Sequence, residues 1–357
     1  MEETKMLTDE EIEKIAEKVL HKLVINGMEY GYLAHMHAAT QMMIDDVLWC
    51  HRVGDAAHID KVLLTGPPSQ YKPNPTAQGA GNQVTFAAYS FVPRSLKRGE
   101  TSPLIVLPHG GVHSNFNSMD SNVVRELVEQ GYVVVAPEYR GSTGYGKEFY
   151  ELIDYGGLES EDTYESRNFM VENCEYVDPE RIGIMGWSHG GMHTLFNIFN
   201  HPEGYKAAHA SVPVSDVVAR MGYKSQGYRN LFEASYHIGK SGNDDYANYK
   251  RRSPAWMVPE YQPGLHPPLL VHSTENDQDV NVLEVEHLIK SLKSKNWVFE
   301  YKIFPPTPGA HGFSRLDTRF SKGVRGEIYE FLAKYLNPPG ENPVKQYIGA
   351  PNPLEGC

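Results

Sequence analysis

Arg181-Ile-Gly-Ile-Met-Gly-Trp-Ser-His-Gly-Gly191 is followed by Met192-His-Thr-Leu-Phe-Asn-Ile-Phe199. Arg181 to Met185 reads as a short buried strand, and from Gly190 onward the apolar spacing is that of a helix. Between them, Gly186-Trp187-Ser188-His189-Gly190 has the G-x-S-x-G form of a nucleophile elbow. A sharp strand-to-helix turn holds its serine in a strained backbone conformation, so the hydroxyl stands clear of the sheet. Side chains at positions 186 and 190 would clash in that turn, which glycine avoids. The helix that follows aims free N–H groups and its positive dipole end at the reacting centre. Ser188 is therefore the candidate nucleophile.

A serine hydroxyl needs a base to take its proton, and the base needs an acid to orient it. Downstream, Ser273-Thr-Glu-Asn-Asp-Gln-Asp-Val280 follows an apolar strand and Pro306-Thr-Pro-Gly-Ala-His-Gly-Phe313 follows the last one. Asp277 is the candidate acid, with Asp279 a rival that could instead cap the next helix, and Glu275 a weaker one. His311 is the candidate base among 16 histidines, because Gly309 and Gly312 permit a tight turn and Phe313 can anchor it. The order Ser, Asp, His is that of the α/β-hydrolase fold. The oxyanion of an intermediate needs two N–H donors. His189 N–H supplies one, and Gly111 N–H, or else Val112 N–H, the other.

Working outward, strands are expected at 58–64, 83–92, 103–108, 132–137, 181–185, 206–212, 268–272 and 297–304. Helices fall between them at 119–130, 161–174 and 282–293, and a last one follows at 323–336. This alternation predicts an α/β fold, a mostly parallel eight-stranded sheet with helices on both faces, plus an N-terminal helical appendage. In the appendage, residues 1–57, Thr8-Asp-Glu-Glu11 has the form of a capping box. One helix with the apolar face Ile12, Ile15, Val19, Leu20 and Leu23 should end near Gly27, and a second should cover Tyr32 to Cys50. His35 and His37 point about 200° apart on a helix and cannot share a metal ion locally. Gly66 to Pro75 is turn-rich. The hydrolase body should span 58–337 and contain an aromatic insertion at 214–267, either a lid over the site or an accessory helical layer. Trp187 beside the serine, and Tyr223, Tyr228, Phe232 and Tyr236 of the insertion, are candidate substrate contacts. The tail, 338–357, is proline-rich and should be an extended arm or disordered.

The 357 residues are 40% hydrophobic and 22% charged, as in a water-soluble globular protein. A net charge of −12 with no Lys/Arg cluster argues against nucleic acid or an anionic membrane as partner. Cys50, Cys174 and Cys357 are widely spaced and suit reduced thiols. With no signal-peptide pattern and no run near 18 apolar residues, the expected location is the cytoplasm. No cofactor or metal is expected.

Six motifs in order carry a resemblance: His109-Gly-Gly-Val-His-Ser114, Tyr139-Arg-Gly-Ser-Thr-Gly-Tyr-Gly146, Val177-Asp-Pro-Glu-Arg-Ile182, Gly186-Trp-Ser-His-Gly-Gly191, Asn276-Asp-Gln-Asp-Val280 and Gly309-Ala-His-Gly-Phe313. On these, residues 85–337 resemble the catalytic domain of the prolyl oligopeptidase family, closest to its acylaminoacyl-peptidase-like branch. The resemblance implies that Asp277 rather than Asp279 is the acid, that Gly111 and His189 form the oxyanion hole, and that Arg140 is scaffold. Three departures stand out. About 58 residues precede the first strand, too few for the family's β-propeller; Ser273 replaces a glycine before the acid loop; and the paired glutamates that capture a free amino terminus are not seen. The expectation is a serine hydrolase of small, partly aromatic carboxylic esters, with an oligopeptidase or acylaminoacyl peptidase as alternative and a non-catalytic binding protein as a remote one. The N-terminal helices, too small to fold alone, should roof the site with the insertion or join two subunits as a homo-oligomer.

Overall fold

The structure is a computed structural model describing residues 9–70 and 81–355; within 9–30 the side chains described are those of Lys14, Glu17, Lys18 and Met28. Eight strands, β1 (Ala57–Pro68), β2 (Gln83–Pro93), β3 (Ser102–Val106), β4 (Val133–Glu138), β5 (Val177–Trp187), β6 (Ala207–Ser211), β7 (Leu269–Thr274) and β8 (Phe299–Phe304), form one sheet. Their order is β1-β2-β4-β3-β5-β6-β7-β8. The β1/β2 and β2/β4 pairs are antiparallel and the other five parallel. Strands β3, β4, β6 and β7 are buried along their whole length, which is why they read as unbroken apolar or small-residue runs rather than alternating ones.

Eleven helices accompany the sheet among the described residues: α1 (Asp9–Val53), α2 (Ser121–Glu129), α3 (Lys147–Tyr150), α4 (Leu158–Asn173), α5 (His189–Asn200), α6 (Val217–Tyr223), α7 (Gln226–Glu233), α8 (Tyr246–Arg251), α9 (Pro254–Met257), α10 (Val282–Ser294) and α11 (Arg319–Leu336). Successive strand residues alternate between two cores. Leu104, Val106, Ile182 and Ile184 pack with α4, α5 and α10 on one face. Ile105, Val134 and Met185 pack with α2, α11 and the end of α1 on the other.

Two expectations about the N-terminal helices change, and of the two alternatives for the tail the structure gives the arm. The two N-terminal helices are one helix of 45 residues, ~68 Å long at 1.5 Å per residue. Lone glycines at 27 and 31 each cost a helix about 1 kcal/mol but, with no proline, do not end it. The expected capping box and the side chains of Ile12, Ile15, Val19, Leu20 and Leu23 lie outside what is described, as do residues 71–75 of the turn-rich segment and Cys357. The tail is an ordered arm rather than a disordered one. Gly340 N–H donates to Gln130 O at 2.9 Å, Asn342 Nδ2 to Gly326 O at 3.1 Å and Asn352 Nδ2 to Pro306 O at 2.9 Å. Close packing explains the arm's course: Gly323 and Gly326 of α11 leave room for the backbone at Tyr347 and Val344.

The C-terminal half of α1 braces the body instead of roofing it. Asp45 Oδ1 accepts Ser118 N–H (3.0 Å) and Oγ–H (2.6 Å), and Asp46 takes Lys61 Nζ at 3.0 Å. Trp49, fully buried, stacks on Phe116 with centroids 5.0 Å apart and meets Phe91 edge-on at 5.1 Å. Trp49→Ala should therefore cost about 3–5 kcal/mol of stability, read as a lowered urea midpoint; a change under about 1 kcal/mol would mean that α1 is not part of the folded core.

Candidate active site

The serine turn is built by sterics. Ser188 has φ 58° and ψ −119°, a conformation costing a non-glycine residue about 1–3 kcal/mol. Three main-chain bonds hold it: Ser188 N–H to Ser211 O (3.0 Å), and Met192 and Val214 N–H to Ser188 O (both 3.1 Å). A Cβ at 186 would sit 2.3 Å from Gly190 O, and one at 190 would sit 2.2 Å from Pro108 O. Both glycines are thus required, the second because the loop after β3 presses against the turn.

That loop carries Gly111. The ring of His109 lies 3.0 Å from Gly110 O through Nδ1. A trans peptide directs its N–H opposite its C=O, so the Gly111 N–H points away from His109. Tyr139 Oη–H reaches Gly111 O at 3.2 Å and His109 O at 2.9 Å. The Ser142 hydroxyl donates to Tyr139 O at 2.7 Å and accepts from His109 Nε2 at 2.9 Å. His189 N–H opens α5, and the first N–H groups of a helix have no intrahelical partner.

His311 Nδ1 lies 2.7 Å from Asp277 Oδ2, and Asp277 Oδ1 accepts the N–H groups of Asp279 (2.8 Å) and Val280 (2.9 Å). The Asp277 carboxylate is buried, with both oxygens committed. Asp279 lies on the other side of the imidazole, its Oδ2 3.4 Å from His311 Nε2. Burial pushes the Asp279 carboxyl up, but the Lys224 hydrogen bond and the Arg220 and His311 charges outweigh it and hold it below its usual range. Ser188, His311, Gly111 and Asp279 line one cleft of about 460 Å³, with Ser114, Asn115, Asn117, Met119 and Arg315 on its walls. It opens beyond the C-terminal ends of β3 and β5, where the strand order reverses direction.

The other sequence candidates lie elsewhere. Trp187 is buried, donates Nε1–H to Ser314 Oγ at 2.8 Å and packs on His209. It belongs to the core, because the residue before the serine still points inward from β5. Phe232 is fully buried between Tyr155, Tyr228 and His237 and is likewise a core residue. Tyr223 and Tyr228 serve the acid loop: Tyr223 Oη–H bonds Asp279 O at 3.1 Å, and Tyr228 Oη accepts Arg220 Nε–H at 2.8 Å. Tyr236 lines a separate cavity of about 770 Å³ with Phe149 and Leu152. Sequence reasoning missed Asn276, whose Oδ1 accepts Thr307 N–H (3.0 Å) and whose Nδ2 donates to Thr307 O (2.9 Å), joining the acid loop to the base loop. Its place beside Asp277 was the available signal. It also missed Glu284, buried under Arg220 at 3.1 Å.

Among the described residues one group has metal-donor chemistry, Glu159, His189 and His193, with donor atoms within 4.8 Å of one another. Glu159 carboxylate oxygens take the N–H groups of Gly156 and Gly157, and His193 Nδ1 meets Thr163 Oγ1 at 2.7 Å. Burial, reinforced by the Asp154 charge, pushes the Glu159 carboxyl up to about 8. Burial holds both imidazoles well below the ordinary histidine value. The group is packed between α4 and the elbow helix.

Known proteins resemble this chain in sequence and in fold. The family model described as "Prolyl oligopeptidase family" matches residues 117–339. The chain belongs to the prolyl oligopeptidase family. Among curated relatives, the human acylamino-acid-releasing enzyme is 27% identical over 280 residues, 77% of this chain and 35% of that protein. The dipeptidyl aminopeptidase BIII of Pseudoxanthomonas mexicana is 25% identical over 309 residues, covering 83% and 44%. The chain spans about a third of the length of the first curated relatives it matches. The solved Pyrococcus horikoshii acylaminoacyl peptidase superposes with a TM-score of 0.63 at 20% identity, over 82% of this chain and 44% of that one. This likeness shows the α/β-hydrolase fold of the family. No helix among the described residues is long and apolar enough to cross a membrane.

The Glu159 shift has a testable sign. Its folded value, about 8, lies above the ~4.3 of an unfolded glutamate. Between about pH 4.3 and 8 the folded state keeps a proton that the unfolded chain has released, so the contribution to stability is full below this window and lost as pH rises through it. Relative to wild type, Glu159→Gln should gain stability with rising pH, by at most about 1.4 kcal/mol per unit inside the window, in urea unfolding from pH 5 to 9. A gain that shrinks with pH would mean that Glu159 is ionised when folded.

Proposed function

We propose that this chain is a serine peptidase of the acylaminoacyl-peptidase type, acting on short peptides through Ser188, His311 and Asp277. The observation that carries the reading is the buried Asp277 carboxylate on His311 Nδ1 at 2.7 Å, facing the cleft that Ser188 lines at the tip of its turn. The name of the human relative, an acylamino-acid-releasing enzyme, supports the substrate class. In this reading His311 Nε2 leaves the Asp279 side and takes the Ser188 hydroxyl proton as Oγ attacks the scissile carbonyl. Asp277 holds the imidazole with Nε2 toward the serine and stabilises the imidazolium. The N–H groups of His189 and Gly111 receive the oxyanion. His311 then protonates the departing amine, and water repeats the sequence on the acyl-enzyme, returning the proton to Ser188.

A second reading, hydrolysis of carboxylic esters by the same residues, is favoured by the size of the cleft. About 460 Å³ is within the range of a small-molecule site. The two readings differ only in the leaving group, an amine or an alcohol.

A fluorophosphonate probe should label wild type but not Ser188→Ala; absence of labelling in folded wild type would overturn both readings. Turnover of an N-acetylaminoacyl anilide beside p-nitrophenyl esters of graded acyl length separates them, since ester hydrolysis without anilide hydrolysis leaves only the second. Ser188→Ala and His311→Ala should each lower kcat by about 10⁴–10⁶-fold, and the double variant by little more, because the residues act as a unit. Asp277→Asn should lose about 10³–10⁴-fold. Asp279→Asn should keep most of the activity; the reverse ranking of the two aspartates would reassign the acid.

A further inference from the structure

We propose that α1 pairs antiparallel with α1 of a second copy of this chain, through the face that carries Leu33, Met36, Thr40, Ile44 and Val47. The opposite face of the helix is already used: Met42 packs on Gly144, Asp45 holds Ser118, and Trp49 is buried. On the outer face Tyr32, Leu33, Met36, Met43, Ile44 and Val47 are 48 to 70% exposed. These six side chains alone present on the order of 750 Å², against about 800 Å² per partner in a standard interface.

Residues 30–44 contain no Asp, Glu, Lys or Arg in a chain that is 22% charged overall. A membrane-surface helix would carry Lys and Arg along the margins of its apolar face, and this stretch has none. Charged residues are depleted from interface cores, so an uncharged face suits a protein partner. The layout singles out a second copy. A two-fold axis through Thr40 sets Met36 against Ile44 and Leu33 against Val47, and repeats each pair on the other side, as an isologous interface requires. Thr40, the small residue at the crossing, donates its hydroxyl to Met36 O at 2.9 Å, so its methyl faces the axis without stranding a polar group. The flanking methionines adapt to an irregular surface. His37 and Gln41, both exposed, would lie at the wet margin.

Sedimentation of the full chain at tens of micromolar tests the pairing. Wild type should sediment at twice the chain mass of 40.2 kDa, and Met36→Glu/Ile44→Glu at the monomer mass, with circular dichroism and fluorophosphonate labelling unchanged. In a background with Cys50, Cys174 and Cys357 each replaced by Ser, Thr40→Cys should form a linked dimer with a short bis-maleimide, as should Leu33→Cys/Val47→Cys, whereas Leu33→Cys alone should not. A monomeric wild type overturns the proposal, as does a dimer that survives the glutamates and does not link through Thr40→Cys. Linking by Leu33→Cys alone overturns the antiparallel register. Capture of wild type, but not the glutamate variant, on phosphatidylcholine–phosphatidylserine vesicles without self-association would assign the face to lipid and overturn it as well.

Discussion

The rest of the molecule depends on one backbone conformation, that of Ser188. Its positive φ is not stable by itself, so the neighbours must be arranged to leave no alternative. The Ser188 N–H bond to Ser211 O and the Val214 N–H bond to Ser188 O tie the turn to the end of β6 and the chain beyond it. The glycine at 190 lets the loop after β3 close to within contact of the helix start. β3, β5 and β6 must then lie side by side, which their order in the sheet provides. The cleft at the strand ends follows from that packing.

A second demand is electrostatic. Two acids beside one imidazole compete for it, and here two aspartates flank His311. They are told apart by what holds them. Asp277 is buried and fixed by two backbone N–H groups, whereas Asp279 is half exposed and bound to Arg220 and Lys224. Arg220 rests in turn on buried Glu284. The aromatic insertion, expected as a lid or an accessory helical layer, thus reaches the site through this charge network, and its tyrosines serve as partners for Arg220 and Glu284.

All eight strands and the elbow were legible because their signals are local: apolar runs bounded by turn residues, and glycines whose absence would produce a clash. The Ser188, Asp277 and His311 positions were legible through spacing, since each follows a readable strand. Less was visible where long-range partners decide. The acidity of Glu159 depends on contact between α4 and α5, and nothing near Gly157 announces it. The continuity of α1 was missed because two lone glycines resemble stops, and helical hydrogen bonding outweighs them. Trp187 looked like a pocket residue from its neighbour, but strand alternation turns it inward to Ser314.

The arm beyond α11 also bears on how the chain acquires its site during synthesis. Asn352 bonds Pro306 O at 2.9 Å, in the loop that ends at His311. A ribosome delivers Ser188 first, Asp277 next and His311 after that, and Asn352 follows His311 by 41 residues. The base loop therefore spends part of translation without its last tether. The tether on this loop thus comes from a residue synthesised after every strand of the sheet.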